Sequence, residues 1–159
     1  MHNDVYLWAP ALNGTILEIG KMQVGGQRSP YQYSFGVNMA PGPGVTLVCD
    51  AVKLPLADEC FHNVVCMETL EHIEDWRSVV SEMWRVASTT IVITTPTIEK
   101  RYHGYPSDYW RWTLEQWKRV FAKQKILRSG TTWTHGIGIW VRKNNLGIDL
   151  SVEPTRVTR

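Results

Sequence analysis

Residues 45–86 read VTLVCDAVKLPLADECFHNVVCMETLEHIEDWRSVVSEMWRV. The stretch holds two apolar runs of strand length, Val45–Cys49 and Asn63–Met67. The second is apolar on both faces, as a central parallel strand must be. The first run ends on Asp50, and the second leads into Glu68, Glu71 and His72. An amphipathic helix over 76–86 follows, with Asp75 as its N-cap and Val79, Val80, Met83 and Val86 as its apolar stripe. Polar residues gathered where strands end mark the ligand crevice of an α/β sheet.

Upstream, Thr15–Ile19 reads as a strand closed by Gly20. A glycine there lets the backbone turn tightly and come close to a ligand. Lys21–Tyr33 has Gly25, Gly26 and Pro30 among its few residues, so a full crossover helix of about 10–12 helical residues is shortened or missing. Ser34–Val37 is a second strand ending at Asn38, and MAPGPG (39–44) is too rich in Pro and Gly to be helical. One side of the sheet is therefore minimal. Residues 1–13 form a lead-in expected to pack across the first strand.

Downstream, Ser88-Thr89-Thr90 reads as a turn and Ile91–Thr94 as a fifth strand. Thr95–Thr113 (TPTIEKRYHGYPSDYWRWT) then hangs over the same end of the sheet, dense in Tyr, Trp, His and charge. Thr113 N-caps a helix over 114–122 with Gln116 placed for a capping box. Ile126–Ser129 and Ile137–Arg142 are the last strands, with Gly130 near their turn. The domain spans 1–144, and 145–159 reads as a loose polar tail.

Composition narrows the classes. The chain has 159 residues, one domain's worth, and 43% hydrophobic content, enough for a core. A net charge of +2 is no footprint for nucleic acid. The three cysteines lack CxxC spacing, which points to a reducing, cytoplasmic compartment. No leader is evident, and no apolar run approaches the ~20 residues that span a bilayer. Eight tryptophans suggest aromatic packing and an aromatic-lined pocket.

Asp50-Ala51, the Leu54-Pro55-Leu56-Ala57-Asp58 turn, Phe61–Cys66 and Leu70-Glu71-His72 together resemble the class I S-adenosylmethionine-dependent methyltransferases, in the small type 11 branch. The resemblance implies a Rossmann-like α/β fold, a mostly parallel sheet with an antiparallel edge hairpin, in reduced form. S-adenosyl-L-methionine is the cofactor it implies. Glu18 and Gly20 would open the glycine motif, in which Met22 and Val24 replace the second and third glycines. Asn38, with Met39 beside it, stands where an acid takes the ribose hydroxyls. Asp50 would accept from the adenine amino group and the Ala51 N–H would donate to the ring; alternatively Asp50 only caps the next turn. Glu68 lies at the mouth of the crevice.

A His-x-x-Pro-x-Asp-Tyr-Trp-Arg segment, His103 to Arg111, matches a substrate-facing lid of such enzymes. Tyr105, Tyr109, Trp110 and Arg111 are its candidate acceptor contacts. The alternative is a structural loop held by an Asp108–Arg111 ion pair. His72, His103 and Asp108 are the candidate general bases for an oxygen acceptor.

Other chemistries lack their residues. There is no GxSxG elbow, no GxxxxGK[ST] loop and no HExxH; the histidines are not clustered in sequence, so no metal site is expected. Gly20 and Gly25 fit a dinucleotide fingerprint but Met22 blocks its centre, which disfavours a pyrophosphate ligand. The expected function is methyl transfer to a small or polar acceptor such as a sugar, metabolite or nucleoside-like group, through oxygen or nitrogen. The alternative is a non-catalytic binding or scaffold relative with a decayed cofactor site. A thinned sheet face would also favour a homodimer.

Overall fold

A computed structural model describes residues 8–21, 29–104, 107–133 and 135–158. In chain order the elements are β1 (Ile16–Ile19), β2 (Phe35–Asn38), β3 (Leu47–Val48), β4 (Phe61–Met67), α1 (Trp76–Val86), β5 (Ala87–Pro96), β6 (Trp110–Arg111), α2 (Leu114–Val120), β7 (Lys125–Trp133), β8 (Gly136–Arg142) and β9 (Thr155–Arg156). A 3-10 turn, Leu70–His72, joins β4 to α1. The main sheet runs β3-β2-β1-β4-β5-β8-β7, with β1 to β5 parallel and the β8–β7 pair antiparallel at one edge. Strand order reverses between β1 and β4, so the crevice of this fold opens at their C-terminal ends.

One face of the sheet carries the core. Leu17, Ile19, Val64, Cys66, Ile91, Ile93 and Ile139 are buried there against Val79, Val80 and Met83 of α1 and Val120 of α2. Three fully buried tryptophans fill the gap between the helices. Trp112 stacks on Trp117 with centroids 4.0 Å apart, and Trp76 meets Trp112 edge-on at 4.6 Å. Such aromatic pairs add roughly 0.5–1.5 kcal/mol each beyond their buried area.

The opposite face has a thinner cover. Val65 and Val92 are buried beneath Trp8 and Tyr31. The lead-in, expected at the first strand, reaches across the sheet to β8. Trp8 lies over Gly138, where a Cβ would meet its ring at 2.7 Å, and Arg128 sits 5.2 Å above that ring. Residues 39–46 and 49–60 form turns without a helix, as MAPGPG led one to expect. The shortened first crossover falls partly on residues 22–28, outside the described residues.

The caps are as read: Asp75 Oδ1 accepts from the Ser78 amide at 3.1 Å, and Thr113 with Gln116 forms a full capping box. Two expectations fail locally. The supposed turn at Ser88–Thr90 is strand, because α1 ends on an extended Ala87 and the chain enters β5 directly. The β-branched threonines favour that conformation. The loose tail is bound as well. Ile148, Leu150 and Val152 pack on the core, Arg77 Nε donates to the Leu150 carbonyl at 2.8 Å, and β9 pairs with β6.

Candidate functional site

Five parallel strands deliver their C-terminal ends to one edge, and most of the sequence-predicted residues lie there. Gly20 closes β1 with φ +76°, and its amide donates to the Val37 carbonyl at 2.8 Å. A Cβ on Gly20 would lie 2.2 Å from Thr69 Oγ1, so the β1 and β4 ends touch only because this residue is glycine. Glu68, at the end of β4, also has a left-handed backbone, φ +47°. A non-glycine residue held there stores strain of about 1 kcal/mol or more, which is common at functional sites.

On the β1–β2–β3 side the polar groups mostly serve the protein. The buried Glu18 carboxylate accepts from Ser29 Oγ at 2.8 Å and Ser34 Oγ at 2.7 Å, with Lys21 Nζ 3.7 Å away. Lys21 Nζ also donates to Ser34 Oγ and the Tyr31 carbonyl. This network pins the chain between β1 and β2 where a crossover helix would otherwise sit. The Asn38 amide donates to the Lys21 carbonyl at 3.2 Å, and its Oδ1 accepts from the Ala40 amide at 3.3 Å. Met39 is exposed. Asp50 is exposed at the end of β3 and accepts the Val52 amide at 3.0 Å, so it does cap the following turn; Ala51 beside it is buried. The LPLAD turn is clamped from α1: Arg85 donates to the Leu54 and Leu56 carbonyls and to Asp58, while Glu82 accepts the Leu54 amide at 2.7 Å.

The β4–β5 side is different in kind. The 3-10 turn after β4 puts Glu71 and His72 beside the loop that follows β5. Glu71 is 3% exposed. Burial, and then the Glu68 charge, push its carboxyl well above the ordinary range. His72 Nδ1 donates to the Ser107 carbonyl, leaving Nε2 as the acceptor, 3.7 Å from Glu71 Oε1. Burial lowers the imidazole's pKa even against that carbonyl, so His72 is neutral at pH 7. The His103 ring lies edge-on to it, centroids 5.0 Å apart. The histidines, separate in sequence, are thus clustered in space: Glu71, His72 and His103 each offer a donor atom within 4.8 Å of the others. Glu71 had no assigned role in the sequence. Its signal was the run Glu68, Glu71 and His72 gathered where the β4 run ends.

The lid residues divide. Asp108 and Arg111 are both buried and joined as a fork, with Arg111 Nη2 donating at 2.6 Å and Nη1 closer still. Burial alone would raise the Asp108 carboxyl; the Arg111 bonds, with the His103 amide, outweigh it and hold it below its usual value. A depressed carboxyl already bidentate to Arg111 is a weak proton acceptor. Arg111 also donates to the Lys100 and Arg101 carbonyls, so it ties the lid together from inside. Trp110 is buried with its Nε1 on the Ile73 and Glu74 carbonyls. Tyr109 is half-buried and borders a cavity of about 200 Å³ with Tyr102, Ser107, Asp108 and Arg156. Tyr105 and Pro106 lie outside the described residues.

Residues 16–90 match the model of a family described as a methyltransferase domain, of type 11. No curated protein matches the sequence. Among solved structures, an S-adenosylmethionine-dependent methyltransferase of Thermotoga maritima, described as a possible histamine N-methyltransferase, aligns with TM-score 0.65 at 16% identity, over 89% of this chain and 87% of its own. The 1,6-didemethyltoxoflavin N1-methyltransferase of Burkholderia thailandensis, with bound substrate and S-adenosylhomocysteine, aligns with TM-score 0.65 at 12% identity, over 83% and 72%. A chain of the Haloferax volcanii complex between the Trm112 methyltransferase activator and its methyltransferase aligns with TM-score 0.63 at 14% identity, over 87% and 86%. At these identities the structures speak for the fold, which is the Rossmann-like methyltransferase fold that residues 45–86 resemble. No helix among the described residues is long and apolar enough to cross a membrane.

Proposed function

We propose that this chain, an S-adenosylmethionine-dependent methyltransferase by its matched domain and its fold, transfers the methyl group to a small polar acceptor held between the β4 end and the lid. The observation that carries the reading is the polar cluster of Glu68, Glu71, His72 and His103 beside Gly20, at the reversal of strand order where the donor's methyl group would lie. In this reading Gly20 gives the donor close backbone approach, Asp50 turns toward the adenine edge, and Ala51 supplies an N–H.

Methyl transfer from a sulfonium is an in-line displacement. Holding donor and nucleophile in line supplies several kcal/mol of the barrier. An oxygen acceptor also releases a proton, which the neutral His72 Nε2 is placed to take. His103 is the second imidazole of that wall. Tyr109 on the lid would contact the acceptor, while Asp108, Trp110 and Arg111 would shape the lid from within. A nitrogen acceptor needs less of a base; the Thermotoga and Burkholderia neighbours are named for N-methylation. The three cysteines are free, which fits a reducing compartment such as the cytoplasm.

A second reading has one observation in its favour. The Asn38 amide is already bonded on both atoms, to the Lys21 carbonyl after β1 and to the Ala40 N–H, as in a protein that keeps the fold without the donor. Calorimetric titration with S-adenosylhomocysteine separates the two. Binding that Asp50→Ala removes supports the enzyme; no binding at millimolar ligand leaves the non-catalytic relative. Transfer of a labelled methyl group to a panel of sugars, amines and nucleosides then identifies the acceptor.

A further inference from the structure

We infer that Glu71, His72 and His103 form a binding site for one divalent transition-metal ion of the Mn2+, Co2+ or Zn2+ class. Their donor atoms already lie within 4.8 Å of one another. Ligands about 2.0–2.2 Å from a shared ion stand some 3–4 Å apart. A small inward turn of the surface-facing His103 side chain closes the difference.

Two further observations point to a cation there. Glu71 Oε2 is buried and has no hydrogen-bond partner among the described residues, although the residue is only 3% exposed. Buried polar atoms are otherwise nearly always paired. The His72 ring is already oriented as a ligand, because Nδ1 gives its proton to the Ser107 carbonyl and the Nε2 lone pair faces Glu71. Metal-bound histidines are held in this way, their other ring nitrogen donating to a carbonyl or carboxylate. His103 Nε2 lies 3.8 Å from Asp108 Oδ2, within ion-pair reach but longer than a hydrogen bond. The Arg111 charge near the cluster is offset by its fork to Asp108.

Two imidazoles and one carboxylate suit borderline ions rather than Mg2+ or Ca2+, and they leave coordination positions open. An oxygen-bearing acceptor at the β4 end could complete the shell. That role rests on the methyltransferase reading and replaces the His72 base, whose Nε2 the ion occupies, with metal activation of the acceptor; the site itself does not rest on it.

The test uses the full chain without a histidine tag, stripped with chelator and titrated with Mn2+ and with Zn2+ by calorimetry, Mn2+ also by electron paramagnetic resonance. One ion per chain is expected, with affinity reduced at least tenfold by His103→Ala and by Glu71→Gln. His103 is a surface residue, so its variant should keep the wild-type circular dichroism and gives the deciding comparison even where Glu71→Gln fails to fold. No saturable one-to-one binding below millimolar metal, or equal affinity in His103→Ala, overturns the site. S-adenosylhomocysteine titrated into metal-free protein gives a separate readout. Metal without nucleoside binding removes the methyltransferase reading and keeps the site, and the converse removes only the site.

Discussion

Gly20 and Asp108 show how much rests on single side chains. Gly20→Ala adds a Cβ that would press on Thr69 at a left-handed φ. It should destabilise the fold by about 1–3 kcal/mol in thermal melts, and it should abolish S-adenosylhomocysteine binding even in the fraction that stays folded. Asp108→Asn breaks one side of a buried fork and leaves Arg111 buried without its counter-ion. A loss of about 3–5 kcal/mol in urea titrations is expected, against little change for a surface acid such as Glu115. The pH dependence follows from the direction of the shift. Because the folded-state carboxyl lies below its unfolded value of about 3.9, its contribution is complete above that pH and is lost as pH falls through the folded value. Wild type should therefore lose stability on acidification below about pH 4 more steeply than Asp108→Asn, measured by urea midpoints at several pH values. Asp75 and Thr113 were legible as caps because a cap is a three-residue pattern. The commitments of Glu18 and Asn38 were not, since their partners Ser29, Ser34 and the Lys21 carbonyl depend on how one loop folds back.

Elements set by local periodicity came through intact, and elements set by distant partners did not. The α1 bounds match the sequence reading because its apolar stripe and cap agree. The third strand shrank to Leu47–Val48 because it is an edge, paired with β2 alone. The LPLAD turn read as a family signature, yet its order comes from Arg85 one layer away. Arg85→Ala should free the Leu54, Leu56 and Asp58 contacts together and cost about 1–3 kcal/mol. Hydrogen exchange should localise the loosening to residues 52–60, with α1 itself still protected.

For the whole molecule, the mostly parallel sheet with its antiparallel edge was implied by the family resemblance, and the crevice was readable from the polar residues that end the apolar runs. The binding of residues 145–158 was not, because their polarity hid an alternation, Ile148, Leu150, Val152, whose apolar side chains face the core. Deleting residues 145–159 should lower the melting temperature by several degrees and expose the indoles of Trp112 and Trp117, seen as a red-shifted fluorescence; a surface tail would leave both unchanged. The β6–β9 ladder also has a consequence in time. The Val157 amide donates to the Tyr109 carbonyl and Arg156 pairs with Glu74, on either side of the segment that carries His103 and Asp108. On the ribosome, where a chain emerges from its N-terminus, the main sheet can assemble before β6 of the lid has its partner strand. The acceptor wall is thus the last part of the protein to take shape, and a nascent chain stalled before residue 155 should hold a folded sheet without a finished site.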